Sequence, residues 1–533
     1  MREKENGLLR QAEHQNRMKE ELTGRFKSNL SGFLSVCLVG FLVLLQIGII
    51  IVLPFVFRGV TVYFYAVLEI FSIILIFNLV NDNRSPSYKI SWICIALALP
   101  ISGHIMYLLW GGQDSTKRLD DSIKHIMKHG QLFLKHNREV EEQFYKESPM
   151  EARMSKYMTS QNFPLYQNNQ IAYYPMGEDA FEVIFEELEK AEKFILVDFF
   201  IVAEGAIWDK FHEILLKKVK EGVEVKFMYD DFGAKIRTNK YFRRNLEQEG
   251  FEVQVFNPIH KYTDKLYMNY RSHQKIIVID GNIGFTGGFN IADEYANLIN
   301  RFGIWKDNGI RVEGDAVWGM TVTFLQMWEV CEGRTEIDYE NYCPSRKFPE
   351  SKVYCHVISD GPAYNRSNPI ENIYQQMIHY AENYLYITTP YLIIEDDMKH
   401  ALITAVQSGV DVRIITPYIP DKKHVKLLTN YNYGYLLKHG VRIFEYKPGF
   451  IHAKTILNEK NVIVGTINMD YRSFYLHYEN GVWISDSDTV ETVKRDIEKT
   501  LEQCVEVTYE EWIQRPLRMK MEQAFLSAFS TLM

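Results

Sequence analysis

One pattern occurs twice in this chain, and it constrains the fold more than any other feature. Ala191-Glu192-Lys193-Phe194-Ile195-Leu196-Val197 follows a helix-like stretch, and Ala381-Glu382-Asn383-Tyr384-Leu385-Tyr386-Ile387 follows another. A helical segment and a Gly-Val-x-Val strand come next in each copy, Gly222-Val223-Glu224-Val225 and Gly409-Val410-Asp411-Val412. Each copy then carries His-x-Lys on a β-rich stretch, His273-Gln274-Lys275 and His452-Ala453-Lys454. The order strand, helix, strand is that of α/β units with a largely parallel or mixed sheet. Two copies of about 180 residues predict a duplication into two packed domains. The chain has 533 residues, enough for about three folded units, so one unit remains to be placed.

That unit lies before the repeat. Residues 28–112 contain five charges, Arg58, Glu69, Asp82, Arg84 and Lys89. Residues 33–57, 60–80 and 90–110 are apolar runs, and each is long enough to cross a hydrocarbon core of about 30 Å. The first is too long for a signal peptide and has a polar tail before it. Tyr107 and Trp110 suit an interfacial belt. Lys and Arg flank the runs almost equally, so the positive-inside rule sets no orientation. Pro54 and the short gap at Arg58 also allow the first two runs to form a shallow hairpin. Glu69 is expected to make a helix-packing or headgroup-level contact rather than to act in function. Residues 113–155 are polar and helix-permissive and read as a connector.

The chemistry sits in the repeat. Residues i and i+2 of a strand share a face, so His273 projects with Lys275 and His452 with Lys454. An imidazole beside an ammonium suits a phosphate: the Lys neutralises oxygen charge while the His reacts. The returning strands end in Gly287-Gly288-Phe289-Asn290 and Gly465-Thr466-Ile467-Asn468. Gly287, Gly288, Gly465 and Thr466 are small enough for close approach to a ligand. Asn290 and Asn468 are placed to bond a phosphate or orient an imidazole. Apolar residues at 47% and charged residues at 24% exclude disorder, collagen and a disulfide miniprotein. The six cysteines form no C-x-x-C pair and are expected to be reduced. Net charge is −8, and about −11 over residues 114–533, which argues against a nucleic-acid partner and hence a nuclease.

The paired motifs resemble the phospholipase D superfamily, whose HxKxxxxD motif occurs twice. The first copy matches at His273, Lys275 and Asp280. The second has Glu459 where the pattern has Asp, and its hairpin is one residue shorter. Asn269-Tyr270-Arg271-Ser272-His273, Ile291-Ala292-Asp293-Glu294-Tyr295, Thr388-Thr389-Pro390-Tyr391, Pro448-Gly449-Phe450 and Arg472-Ser473-Phe474 narrow the resemblance to bacterial cardiolipin synthases. Arg84-Ser85-Pro86, Trp92, Leu99-Pro100, Gly103, Tyr107 and Gly111 resemble that family's N-terminal hairpin.

The resemblance implies phosphatidyl transfer between two phosphatidylglycerol molecules through a phosphatidyl-histidine, with no metal and no cofactor. It gives the attack to His273 and proton transfer to His452, though the motifs alone allow the reverse. Lys275, Lys454, Asn290 and Asn468 would stabilise the phosphoryl oxygens, and Asp280 and Glu459 would support the site. A hydrolase on the same scaffold and an inactive scaffold are the rival readings. The expected organisation is a tail at 1–30, a membrane region at 31–112, the connector at 113–155, and phospholipase D-like domains at 156–335 and 336–533. The domains are expected on the cytoplasmic side of the cell membrane. The C-terminal segment, with Arg515, Arg518, Lys520, Phe525 and Phe529, either docks on lipid or packs on the fold. Cys355-His356 reads as core, Asp230-Asp231 as a strand-end turn or pocket wall, and Trp305-Lys306-Asp307 as structural or pocket-lining.

Overall fold

The computed structural model describes residues 40–41, 44–49, 61–82, 84–111, 117–258, 270–363 and 367–532. They fall into a helical unit (Met1–Lys117, with Asn257–Asn269 and Thr531–Met533) and an α/β unit (Arg118–Phe256, with Tyr270–Ser530).

In the helical unit the tail and most of run 33–57 lie outside the described residues. Run 60–80 becomes α1 (Thr61–Val80). Its segment Val62–Val80 has a mean hydropathy of 2.1 and is, among the described residues, the one helix long and apolar enough to cross a membrane. At 1.5 Å per residue it spans about 28 Å. Glu69, near the middle of that segment, is exposed on it. Run 90–110 does not form a further helix of that kind. Ser85 caps α2 (Pro86–Ala98) by accepting the N–H of Tyr88, and Pro86 occupies the first turn. Leu99-Pro100 then interrupts it, because proline offers no N–H and keeps the preceding residue out of the helical region. The chain resumes as a short helix, Ser102–Met106, and a π-turn, Tyr107–Gly111. A Cβ on Gly103 would lie 2.5 Å from the Ile95 carbonyl oxygen, so the bend requires glycine there. Buried Gln46 accepts the Ser102 N–H at 2.9 Å and its hydroxyl at 2.8 Å, satisfying donors that the helix start leaves open. Trp92 and Ala96 pack on Leu75 and Leu79 of α1.

The α/β unit contains two sheets of one topology. The first comprises β1 (Asn169–Tyr174), β2 (Phe194–Phe199), β3 (Glu224–Asp230), β4 (Glu252–Phe256), β5 (Lys275–Ile279), β6 (Ile283–Gly287) and β7 (Gly309–Gly314), in the order β1-β7-β6-β5-β2-β3-β4. The second comprises β8 (Tyr354–Asp360), β9 (Tyr384–Thr388), β10 (Asp411–Pro417), β11 (Arg442–Tyr446), β12 (Thr455–Asn458), β13 (Val462–Gly465) and β14 (His477–Ser485), in the order β8-β14-β13-β12-β9-β10-β11. In both, the central strand is parallel to the next two and antiparallel to the hairpin on its other side. β15 (Cys504–Val507) extends the second sheet beyond β11.

Alternation along β2 shows how the layers form. Ile195, Val197 and Phe199 face an outer core with α3 (Gly177–Glu189) and α4 (Ala206–Lys220). Phe194 and Leu196 face a core shared by both sheets, as the period of two requires. That shared core holds α5 (Val317–Glu332) and α6 (Ser487–Leu501) with Ile276, Val278, Leu457, Val464 and Val482. α5 is apolar almost all round, as suits a helix between two sheets. The C-terminal helix Leu517–Ser527 packs on the helix Lys423–Lys438 and leaves Leu517, Met521 and Phe525 exposed at intervals of four. The five described cysteines are free thiols, and His356 is core, bonded to Ser155 and to the Phe163 carbonyl.

A core common to both halves makes them unfold together. Leu325→Ala, in the middle of α5, should lower stability by about 2–5 kcal/mol. Far-ultraviolet and near-ultraviolet circular dichroism should report the same single transition for the α/β unit. Two separated transitions would contradict a shared core.

Candidate active site

The two His-x-Lys motifs stand at corresponding places, just before β5 and β12. The sheets meet there, and each motif is tied to the opposite half. The His273 N–H donates to the Tyr478 carbonyl at 2.8 Å, and the His452 N–H donates to the Lys306 carbonyl at 2.7 Å. The side chains cross in the same way. His273 Nδ1 lies 2.9 Å from both carboxylate oxygens of Glu479, and His452 Nδ1 lies 2.7 Å from Asp307 Oδ2. Gly309 pairs with Gly287 and Gly481 with Gly465, so Asp307-Asn308-Gly309 and Glu479-Asn480-Gly481 are equivalent. Each half thus orients the other half's imidazole. With Nδ1 engaged, Nε2 is the nitrogen left for chemistry.

Lys275 and Lys454 are buried beside the histidines. Lys275 Nζ donates to the His273 carbonyl at 2.8 Å, and Lys454 Nζ donates to the His452 carbonyl and sits 2.7 Å from His452 Nδ1. Asn480 accepts the Lys275 N–H at 3.1 Å and donates to Thr286 at 2.8 Å. Asn290 accepts the Ile201 N–H at 2.9 Å, which leaves its buried Nδ2 without a protein partner. Asn468 Oδ1 is likewise buried and unpartnered. Buried polar atoms are rarely left so, and a phosphoryl oxygen meets an amide NH2 well once the Asn468 amide turns over.

Burial sets the protonation. Desolvation, then Lys275, His477, Lys454 and His452, push His273 well below its ordinary range. Desolvation, then Lys454, push His452 down to about 4. Desolvation lowers Lys275 to about 8 and Lys454 to about 7 and raises Glu479 to about 8. Burial acts on Asp307 too, but His452 and Lys454 hold its carboxyl below the usual value. The site therefore has neutral imidazoles and lysines close to losing their protons, although Asp307 and Glu479 oppose that loss. A phosphate diester would add negative charge beside both lysines and favour their charged forms.

The other expected site residues sit elsewhere. Asp280, at the far end of β5 and roughly 20 Å along the strand from His273, accepts the N–H groups of Glu192, Lys193 and Phe194 at 2.9, 2.7 and 2.9 Å. It ties the hairpin to the start of β2 and touches neither histidine. Glu459 does the same with Glu382 and Asn383, at 2.6 and 3.3 Å. The longer side chain thus reaches the equivalent backbone from a shorter hairpin. The glycines make room for protein rather than ligand. A Cβ on Gly287 would lie 2.3 Å from the Asn308 carbonyl oxygen, and one on Gly465 would lie 2.4 Å from that of Asn480. A Cβ on Gly288 would lie 2.0 Å from Asp307 Oδ1. Thr466, in the place of Gly288, donates to Glu479 at 2.5 Å. Asp230 accepts the Ser272 N–H at 3.1 Å and lies 3.5 Å from Arg271, steadying the strand that leads into His273. Trp305 lines the site, 5.4 Å between ring centres from His452.

Glu479, Asn480 and His477 were not among the expected residues. The signal for the first two is the repeat itself: an acidic residue, Asn and Gly recur 17 residues after Asn290 and 11 after Asn468. His477 lies 5.4 Å from His273 between ring centres. With Glu479 and His273 it brings three possible ligand atoms within 4.8 Å of one another. Arg472, Lys275, Arg271 and Lys422 all act on His477, and that positive surrounding favours an anion there over a cation.

Duplicated mixed sheets with crossed His-Lys sites define a phospholipase D-type fold. The family model described as cardiolipin synthase, PLD-like domain, matches residues 184–308 and 374–501. The one described as phospholipase D-nuclease N-terminal matches 70–112. A cardiolipin synthase of Oceanobacillus iheyensis is 32% identical over 83% of this chain and 93% of its own length. One of Clostridium perfringens is 33% identical over 85% and 95%. An uncharacterized protein of Streptococcus mutans is 39% identical over 81% and 93%. Phosphatidylserine synthase of Haemophilus influenzae, 15% identical, shares the fold with a TM-score of 0.55 over 71% of this chain and 98% of that one. The chain belongs to the bacterial cardiolipin synthase family of the phospholipase D superfamily.

Because the depressed lysines lose their protons as pH rises, kcat/KM should fall above pH 7–8. Because burial holds His273 neutral well below its ordinary range, the acid limb should lie well below the ordinary histidine value of about 6.5. A profile with its acid limb near 6.5, or flat to pH 10, would refute this electrostatic picture. Asp280→Asn should lower stability by about 1.5–3 kcal/mol through weakened hydrogen bonds to a charged acceptor. Any folded fraction should retain turnover, measured as activity per folded molecule. Loss of turnover without loss of stability would place Asp280 in the chemistry.

Proposed function

We propose that this protein is a membrane-bound cardiolipin synthase that joins two phosphatidylglycerol molecules and releases glycerol. The observation that carries the reading is the crossed pair of imidazoles, each with Nδ1 held by a carboxylate of the other half and a lysine beside it.

In the first half-reaction His273 Nε2 attacks the phosphorus of one phosphatidylglycerol, forming a P–N bond. The P–O bond to the headgroup glycerol breaks, and His452 protonates the departing oxygen. The negative phosphate opposes the burial that depresses His452, so the imidazole regains a proton as substrate binds. In the second half-reaction a headgroup hydroxyl of another phosphatidylglycerol gives its proton to His452 and attacks the same phosphorus. The P–N bond breaks, cardiolipin leaves and His273 is restored. Lys275, Lys454, Asn290 and Asn468 hold the phosphoryl oxygens as charge shifts. No step in this scheme calls on a metal or cofactor.

Transfer to a lipid alcohol instead of water asks for a site at the bilayer surface. We assign α1 and the apolar runs before and after it to a multi-pass membrane region within 31–112, with 1–30 as its tail and 113–155 as a connector. The duplicated domains, 156–335 and 336–533, are placed on the cytoplasmic face. The exposed Leu517, Met521 and Phe525, with Arg518 and Lys520 on the same helix, form an apolar stripe with basic neighbours suited to lipid.

Purified protein with phosphatidylglycerol in mixed micelles should yield cardiolipin and glycerol in equal amounts. Phosphatidic acid as the main product would make it a hydrolase, and no turnover would leave a scaffold. His452→Ala should cost at least about 10²-fold in turnover and allow a 32P-labelled protein adduct, quenched in detergent at alkaline pH where a P–N bond survives, to accumulate. His273→Ala should carry no label. Label retained in His273→Ala and lost in His452→Ala would reverse the two roles.

A further inference from the structure

The duplicated site is symmetric at its centre and asymmetric at its walls. β14 begins beside Arg271, with His477 paired to Arg271. In the other half Trp305 is paired to Phe450. Arg271 and Phe450 each stand two residues before the motif histidine, so the two pairs are equivalent. His477 lies 5.4 Å from His273, as Trp305 does from His452. The wall beside His452 is aromatic: Trp305, Phe450 and Tyr295 all lie within 6 Å of its ring. The wall beside His273 keeps one aromatic ring, Phe200 at 5.2 Å, and is otherwise basic. Arg472 Nε is 3.5 Å from His477 Nε2. Arg472 stands four residues after Asn468, where the other half has Glu294 four after Asn290. Lys422 completes this side and reaches over Tyr391. Asp230, beside Arg271, Asp470, beside Arg472, and Glu479, 3.5 Å from His477, offset part of the charge.

The reaction centre does not call for this second basic group, because Lys275 and Lys454 already serve the reacting phosphorus. From this asymmetry we propose that Arg472, with His477, Arg271 and Lys422, binds the second, non-reacting phosphate diester, that of the acceptor lipid. The inference rests on the transfer reaction proposed above. The acceptor's phosphate is one glycerol away from the hydroxyl that attacks, so it lies off the line joining the two histidines and against the site's rim. Arginine suits it because its planar fork meets two phosphate oxygens at once. The free headgroup glycerol, which has no phosphate, gains nothing from this wall.

The test compares two acceptors on one phosphatidyl-enzyme. Deuterated glycerol exchanging into phosphatidylglycerol reports an acceptor without phosphate, and cardiolipin formation reports an acceptor with one. Arg472→Gln should cut cardiolipin formation at least tenfold while exchange changes less than threefold, and Arg472→Lys should restore part of the transfer. Because exchange needs a folded site, it also serves as the control for folding. Equal loss of both reactions, or loss of neither, would overturn the subsite. A wild type that makes phosphatidic acid instead of cardiolipin would defeat the transfer reading itself, a separate outcome.

Discussion

The structure depends on the exchange of carboxylates between its two halves. Neither half holds a complete site: His273 is oriented by Glu479 and His452 by Asp307. The same crossing is written into the backbone, where each motif histidine donates its N–H to the other half's chain. A single copy would leave its imidazole and its lysine without the carboxylate that the other half supplies, and an unpaired buried charge is among the costliest features a protein can carry. Duplication is thus a condition for the site and not only a record of its origin. The shared core around α5 and α6 supplies the rigidity that holds groups from distant parts of the chain within hydrogen-bond reach.

Much of this architecture was legible in the sequence. The two Gly-Val-x-Val strands, the two His-x-Lys motifs and their shared order gave a duplicated α/β fold, and the sheets have identical strand orders. What escaped notice has physical reasons. Glu479 lies more than 200 residues from His273, and nothing in local spacing reveals that a carboxylate meets the histidine of the other copy. Asp280 and Glu459 belong to the same motif as the histidines and are expected to support the site. Yet a strand turns the motif's two ends away from each other, and the acid holds backbone N–H groups at the far one. The glycines were expected to admit a ligand and instead admit the neighbouring strand and Asp307. Run 90–110 has the composition of a spanning helix, but average apolarity is blind to Leu99-Pro100, where the helix stops.

An acidic protein that handles anionic lipid needs its positive charge placed locally. At short range two buried lysines outweigh a diffuse surface charge of opposite sign, which water and salt screen within about 10 Å. Burial lowers the pKa of both lysines, and a phosphate beside them would oppose that depression. The same burial keeps the imidazoles neutral, with Nε2 of each left for chemistry.

The two lysines serve one phosphate, and the proposed reaction brings two. If both diesters met at the lysines, like charges would oppose each other just where the acceptor hydroxyl must approach. A duplicated protein has a direct solution, because its two equivalent walls are free to diverge while the crossed pairs at the centre stay alike. Here they have diverged, with Trp305 and Phe450 on one side and His477 and Arg271 on the other. The aromatic wall lowers the dielectric around His452 and excludes water from the side where a proton moves. The basic wall offers a separate place for the charge that arrives with the acceptor. Symmetry at the centre provides two matched imidazoles, and asymmetry at the rim lets the same site treat its two lipids differently.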